Sequence, residues 1–245
     1  MIRDIELQNT TAPAINYSTC YQLPFLSLFH ADCMEIMKQY PDKYFDLAIV
    51  DPPYGIGFSD YERGGIGKKV KERYTKNGKK DWDNGIPTQS YFDELKRISK
   101  EQIIWGGNYF NLPPTQCFIF WYKQNPVPNF ADGEYAWTSF KKPAMCIDYR
   151  YYGNLQGKGS KTETPIHPTQ KPIDLYAWLL KHFAKPDFKI LDTHFGSGSI
   201  ALAVDKANRL DKMNLHLTAC EIDKEYIDKA IKRISESIKQ GTLSF

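Results

Sequence analysis

Little in this sequence suits an extracellular or membrane-embedded life. Its five cysteines (Cys20, Cys33, Cys117, Cys146, Cys220) are scattered, with no C-x-x-C pair and no spacing that suits a metal. An odd, dispersed set fits a reducing compartment better than a disulfide framework. No apolar run approaches the ~20 residues that a bilayer-spanning helix needs; near the start the longest is LPFLSLF, 23–29. The first residues carry Arg3, Asp4 and Glu6 rather than a basic-then-apolar leader, so a cytoplasmic protein without membrane partners is expected. There is no internal repeat. The formal net charge of +3 over 245 residues is too small to argue by itself for a polyanionic partner.

What is present is an ordinary globular composition in which strand-like and helix-like runs alternate. SLFHAD (27–32), FDLAIV (45–50), QIIWGG (102–107), CFIFWY (117–122), AMCIDYRYY (144–152), KILDTHF (189–195) and HLTACEI (216–222) read as strands. Several are continuously apolar, as strands covered on both faces are. Helical spacing is expected over 34–39, 91–99, 173–183 and 200–208. It is clearest after Asp223, a good N-cap, where Ile227, Ala230, Ile231, Ile234 and Ile238 share one face. The alternation predicts a doubly wound α/β fold, with 1–245 forming one domain. Two long segments fit neither pattern, 55–88 and 153–171.

The stretch KILDTHFGSGSIALA (189–203) combines a strand, a glycine-rich turn and a helix start. Gly196 and Gly198 let the backbone approach a ligand closely, and the helix N-terminus beyond them favours an anionic group. Glu221 closes the next strand, 23 residues after Gly198, where an acid suits the hydroxyls of a ribose. This pattern fits a nucleoside cofactor and does not separate a dinucleotide from S-adenosylmethionine.

The second signal is DPPY, 51–54, at the end of the run FDLAIV. Asp51 supplies an acceptor-only carboxylate. Pro52 and Pro53 fix φ and can present a carbonyl in a set direction, and Tyr54 offers a flat face. Together they suit an amino group on a planar ring. Such an amine is a poor nucleophile because its lone pair is delocalised. Two acceptors, the Asp51 carboxylate and the Pro52 carbonyl, would favour a pyramidal nitrogen aimed at an incoming methyl, by positioning and electrostatics alone. No cysteine follows a proline, so no nucleophilic thiol of the kind used at cytosine C5 is indicated. A base taken out of a duplex would need a stacking surface, and Tyr54 could serve.

DPPY, FGSG and HPTQKP (167–172) together, with the DPPY motif ahead of the glycine loop, resemble the DNA amino-methyltransferases that act on adenine N6 or cytosine N4, in particular their permuted β group. The resemblance runs from about Leu26 to Ser235. It implies a mostly parallel, seven-stranded Rossmann-like sheet, S-adenosylmethionine as cofactor with S-adenosylhomocysteine as product, and double-stranded DNA as partner. By matching positions it places Asp32 beside the cofactor's adenine, with Asp192, Phe195, Gly196, Ser197 and Gly198 around its methionine part. Glu221 falls at the ribose and Lys171 near the cofactor, and Asp51, Pro52, Pro53 and Tyr54 form the amine site. The sequence departs from the family pattern at Thr193-His194, where a proline is usual, and at Ala31, where glycine is usual. Asp rather than Ser before the proline pair favours adenine. A homodimer and a cognate restriction endonuclease are compatible with the resemblance and not required by it.

Target recognition is expected from 55–88 and 123–165. Eight Lys/Arg lie between Tyr61 and Lys80, among them Lys68, Lys69, Lys71 and Arg73, and suit phosphate contacts. Other readings stay open at this point. Cytosine N4 is the nearest, followed by RNA or protein-glutamine methylation, a nicotinamide-binding oxidoreductase, and a DNA-binding protein without activity.

Overall fold

The computed structural model describes residues 20–56, 85–125, 131–152, 155–156, 166–167 and 169–242. In chain order its elements are β1 (Cys20–Leu23), β2 (Leu26–His30), α1 (Cys33–Met37), β3 (Phe45–Val50), α2 (Gln89–Ile98) and β4 (Ser99–Trp105). There follow β5 (Phe118–Tyr122), β6 (Gly133–Thr138), β7 (Met145–Asp148), the short pair β8 (Tyr151–Tyr152) and β9 (Leu155–Gln156), and α3 (Ile173–Phe183). The chain closes with β10 (Lys189–Asp192), α4 (Ser199–Asp211), β11 (His216–Glu221) and α5 (Lys224–Thr242).

The unbroken apolar runs pair into one sheet in the order β1-β2-β11-β10-β3-β4-β6-β5-β7. The pairs from β2 to β4 are all parallel, β6 runs antiparallel to both β4 and β5, and β7 is parallel to β5. The seven strands expected from the sequence all join this nine-stranded sheet, and the two further strands are β1 at one edge and β6 inside it. On β3, Leu47 and Ile49 face one layer while Ala48 and Val50 face the other, and all four are buried. The first layer is filled from α3, α4 and α5, for example by Leu179, Val204 and Ile227; the second from α1 and α2, by Ile36, Tyr91 and Leu95. Burial on both faces is why these strands lack alternation. β5 lies beyond the second layer and does alternate: Phe118, Phe120 and Tyr122 are exposed, while Ile119 and Trp121 are buried.

The expected helices form, with α5 capped as anticipated: the backbone N–H of Glu225 donates to Asp223 Oδ1 at 2.9 Å. Two strands carry no clear sequence signal. GEYAWT becomes β6, inserted between β4 and β5, and Cys20–Leu23 forms the edge strand β1. The 123–165 segment is therefore not one recognition loop, because β6 and β7 within it are built into the main sheet. Residues 57–84 of the other segment lie outside the described residues, with Lys68, Lys69, Lys71 and Arg73 among them. Among the described residues no helix is long and apolar enough to cross a membrane.

Candidate active site

Parallel pairing brings the chemistry-bearing side chains to one edge of the sheet. Glu221 pairs with His30 in register, which sets Glu221 beside the turn that holds Asp32. Asp192 pairs with Ala219, and Leu191 with Ala48, so Asp192 and Asp51 leave neighbouring strands at the same end. From β10 the chain proceeds to β11 on one side, whereas from β3 it proceeds to β4 on the other. This is the switch point at which open α/β sheets bind ligands. β6 runs the opposite way, so its starting residues reach the same edge, with Ala136 paired to Trp105 and Glu134 two residues nearer the strand's start.

A cavity of about 580 Å³ opens here, within the range of small-molecule sites. Of the residues expected to hold a cofactor, Asp32, Lys171, Phe195, Gly196, Ser197 and Glu221 line it, and so do Asp51 and Pro53. Asp192 and Gly198 stand behind the wall. Asp192 is 2% exposed and accepts the backbone N–H of His194 at 3.0 Å. Gly198, with φ of +70°, caps α4, and a Cβ there would meet the Phe195 ring at 3.1 Å. Pro52 and Tyr54 are likewise outside the lining.

Each acid has a local job in this structure. Asp32 N-caps α1 by accepting from Met34 N at 2.7 Å. Glu221 ties the glycine loop to the next turn, accepting from Gly196 N at 2.9 Å and from Asp223 N at 3.0 Å. Burial pushes the Glu221 carboxyl up, against the pull of those backbone N–H groups. Asp192 is pushed up to about 8, chiefly by burial and then by the Asp51 and Glu221 carboxylates, although the His194 N–H opposes the shift. From α5, Arg233 donates to Ser197 O at 2.9 Å and to Ser199 Oγ at 3.0 Å, fixing the loop from behind.

The amine-site residues form a tighter cluster than the sequence suggests. Tyr54 donates its hydroxyl to Asp51 Oδ1 at 2.6 Å, and Lys171 donates to Asp51 Oδ2 at 2.5 Å. Lys171, expected beside the cofactor, thus lines the cavity but gives its ammonium to Asp51. That ammonium also lies 3.2 Å from Glu134 Oε2 and 5.2 Å from the centre of the Trp105 ring. The Tyr54 ring stacks on Tyr109, with centroids 5.1 Å apart and planes at 16°, and Phe110 meets it edge-on. One face expected to be open for a base is therefore covered by an aromatic ring that is itself 42% exposed. Trp105 is wholly buried.

Sequence reasoning missed several cavity residues. Thr193 and His194 replace the usual proline and are held from the second layer, since Tyr91 and Thr193 share a 2.6 Å hydrogen bond and Thr193 contacts His194 Nδ1 at 2.9 Å. Burial lowers His194 to about 4, so its ring is neutral over the ordinary working range. His167 packs on Tyr226 at 4.4 Å between ring centres and meets Thr169 through Nδ1, in keeping with a loop-ordering role. Nothing in the local sequence marks Tyr226 or Ile222, which join the cavity only through the fold.

Comparisons with known proteins bear on the family and the fold. The chain is 23% identical over 261 residues to the type II methyltransferase M.ScaI of Streptomyces caespitosus, covering 87% of this chain and 83% of that protein. It is 26% identical over 253 residues to the type II methyltransferase M.HinfI of Haemophilus influenzae, covering 86% and 68%. In fold it is similar to M1.HpyAVI, solved as a SAM complex, with a TM-score of 0.51, 20% identity and coverage of 85% and 99%. It is equally similar to the cytosine-N4-specific PvuII DNA methyltransferase, with a TM-score of 0.51, 12% identity and coverage of 85% and 86%. The DNA methylase model for N6 and N4 amino-methyltransferases matches residues 108–232, just over half the chain, and takes in the 167–172 motif, the glycine loop and Glu221. On that match, this chain belongs to the N6/N4 DNA methylase family.

Proposed function

We propose that this enzyme methylates the N6 amino group of adenine in double-stranded DNA, using S-adenosylmethionine. The observation that carries the reading is the Asp51 carboxylate, fixed by Tyr54 and Lys171 at the switch point and open to the cavity. The two curated relatives are type II methyltransferases, which supports a role as the modifying half of a restriction–modification pair. Asp rather than Ser at position 51 supports adenine; the cytosine-N4-specific neighbour keeps N4 as the second reading.

The cavity fits such a cofactor. It combines acids (Asp32, Glu221, Asp51) with backbone at Gly196 and flat or apolar surfaces at Phe195, Tyr226 and the 67% exposed Ile222. Three carboxylates lining one cavity, Asp32, Asp51 and Glu221, suit a ligand that carries positive charge and hydrogen-bond donors. Asp32, Phe195, Gly196, Ser197 and Glu221 would hold the cofactor, with Asp192 and Gly198 supporting the loop. Bound there, it supplies an activated methyl on a sulfonium.

The chain's own residues supply position. Asp51 accepts an N–H of the target amine, with the Pro52 carbonyl as second acceptor, and directs the nitrogen lone pair toward the methyl. The Tyr54 hydroxyl and the Lys171 ammonium keep that carboxylate oriented. No covalent enzyme intermediate is required. The test digests DNA to nucleosides after incubation with enzyme and S-adenosylmethionine. N6-methyladenine is expected; N4-methylcytosine would move the target, and no methylated base at all would refute the reading. Asp51→Ala is expected to lose turnover by about 100-fold or more while still binding cofactor.

A further inference from the structure

Glu134 belongs to none of the motifs that carry the family resemblance, yet it joins the amine site through Lys171. Its Oε2 is closed off from solvent and faces the Lys171 ammonium at 3.2 Å, and its Oε1 is paired with Lys123. Lys123 in turn sits 4.6 Å from the centre of the Trp121 ring. Lys171, whose side chain is 3% exposed, therefore bridges two carboxylates, Asp51 at 2.5 Å and Glu134 at 3.2 Å. Two acids and two ammonium groups make the cluster neutral.

We propose that Glu134 is a positioning residue for methyl transfer: it holds the Lys171 ammonium between two carboxylates, so that Lys171 can orient Asp51 and still yield Oδ2 to the target amine. The proposal rests on Asp51 being the amine acceptor.

The physical reason lies in what a single buried pair would do. A buried ammonium with one carboxylate partner collapses onto it, because breaking the pair leaves an uncompensated buried charge. Each Asp51 oxygen already accepts one hydrogen bond, Oδ1 from Tyr54 and Oδ2 from Lys171, so the entering amine has to share Oδ2 with an ammonium held tightly against it. A second carboxylate on the far side lets the ammonium shift by a fraction of an ångström without losing a counter-charge. Glu134 also keeps Lys171 protonated. Burial acts to depress the Lys171 pKa, and the Asp51 and Glu134 carboxylates outweigh it, leaving the pKa raised. Burial likewise acts to raise Glu134, but Lys171 and Lys123 bring it down to about 2.

The groups around Lys171 come from every neighbouring element: Asp51 and Tyr54 after β3, Trp105 on β4, Glu134 on β6, Tyr176 on α3 and Asp192 on β10. Tyr54 and Tyr176 are raised well beyond the ordinary tyrosine range, so neither titrates in an assay below about pH 10. Asp192 titrates near 8 and would act alike in wild type and in a Glu134 variant.

The experiment measures kcat and KM for DNA methylation from about pH 6 to 10 in wild type, Glu134→Gln and Glu134→Asp. Cofactor titration is run on each to establish that the site is folded. Glu134→Gln is expected to lower kcat about tenfold or more, to leave cofactor Kd within about threefold, and to add a loss of activity at high pH that wild type lacks. Glu134→Asp, which keeps the charge, is expected to restore the wild-type pH profile even where its kcat stays reduced. A Gln variant with wild-type kcat and profile would overturn the proposal. So would a loss that is the same at every pH in both variants, since that is all a packing role would give. Asp51→Ala, run alongside, separates the two ideas: wild-type turnover there would remove the amine-site reading itself.

Discussion

A Cβ placed on Gly106 would lie 2.2 Å from the Tyr54 ring. Gly106 follows the last residue of β4 with φ of +70°, and its N–H donates to Tyr135 O at 2.9 Å, so the backbone cannot retreat without leaving the sheet. The close approach is what allows Tyr54 to stack on Tyr109 while its hydroxyl reaches Asp51.

Gly106→Ala is therefore expected to displace Tyr54 and loosen Asp51. Left-handed backbone alone costs a residue with a Cβ about 1–2 kcal/mol, before any clash. Turnover should fall at least tenfold, with cofactor affinity much less affected because the glycine loop lies on the other side of Asp51. Steady-state kinetics together with calorimetric cofactor titration checks this; an equal loss in both quantities would mean that the sheet edge, not Tyr54, had been disturbed.

Arg233 is expected to act on cofactor affinity. Its two bonds to the glycine loop are of the charge-assisted kind, worth about 1.5–3 kcal/mol each. Arg233→Met should weaken S-adenosylmethionine binding by about tenfold as Ser197 and Ser199 lose their brace. Titration calorimetry reads the effect directly, and an unchanged Kd would show that Glu221 and the αL cap at Gly198 suffice.

The cofactor-free protein should lose stability between about pH 6.5 and 8. Asp192, raised from 3.8 to about 8 on folding, stabilises the fold fully only below about 4, and that contribution is lost as pH rises through 8. His194, lowered from 6.5 to about 4, acts in the opposite sense, its contribution being present above 6.5 and lost as pH falls toward 4. The two oppose each other in the acidic range and leave Asp192 acting alone above 6.5. A declining Tm over that window, flattened in Asp192→Asn, is the expected calorimetric result. The same decline in the variant would assign it elsewhere.

Lys68, Lys69 and Lys71 carry the expectation for DNA. Each phosphate contact contributes about 0.9 to the slope of log K against log salt. Replacing all three by Ala should weaken binding and lower that slope by about 2–3, read from binding isotherms at several salt concentrations. A slope equal to wild type would take this segment out of the interface.

Much of this protein is legible in its sequence. Unbroken apolar runs mark the parallel strands because both their faces are buried, and Asp223 with its trailing isoleucines marks α5 for the same kind of local reason. DPPY, the glycine loop and Glu221 can be read because each is a short motif whose chemistry lies within a few residues of itself. β6 escapes because Gly133, Glu134 and Tyr135 are only half-buried and begin the strand with polar character. Its place as seventh of nine strands comes from pairing on both sides, with β5 before it in the chain and with β4 beyond that. Tertiary structure alone decides that Lys171 and Glu134, 37 positions apart, share one ammonium–carboxylate contact beside Asp51, and that Tyr109 covers Tyr54. Local sequence sets backbone preference and the type of each side chain. Which charges meet depends on strand order and register, and these are fixed by how the whole core packs.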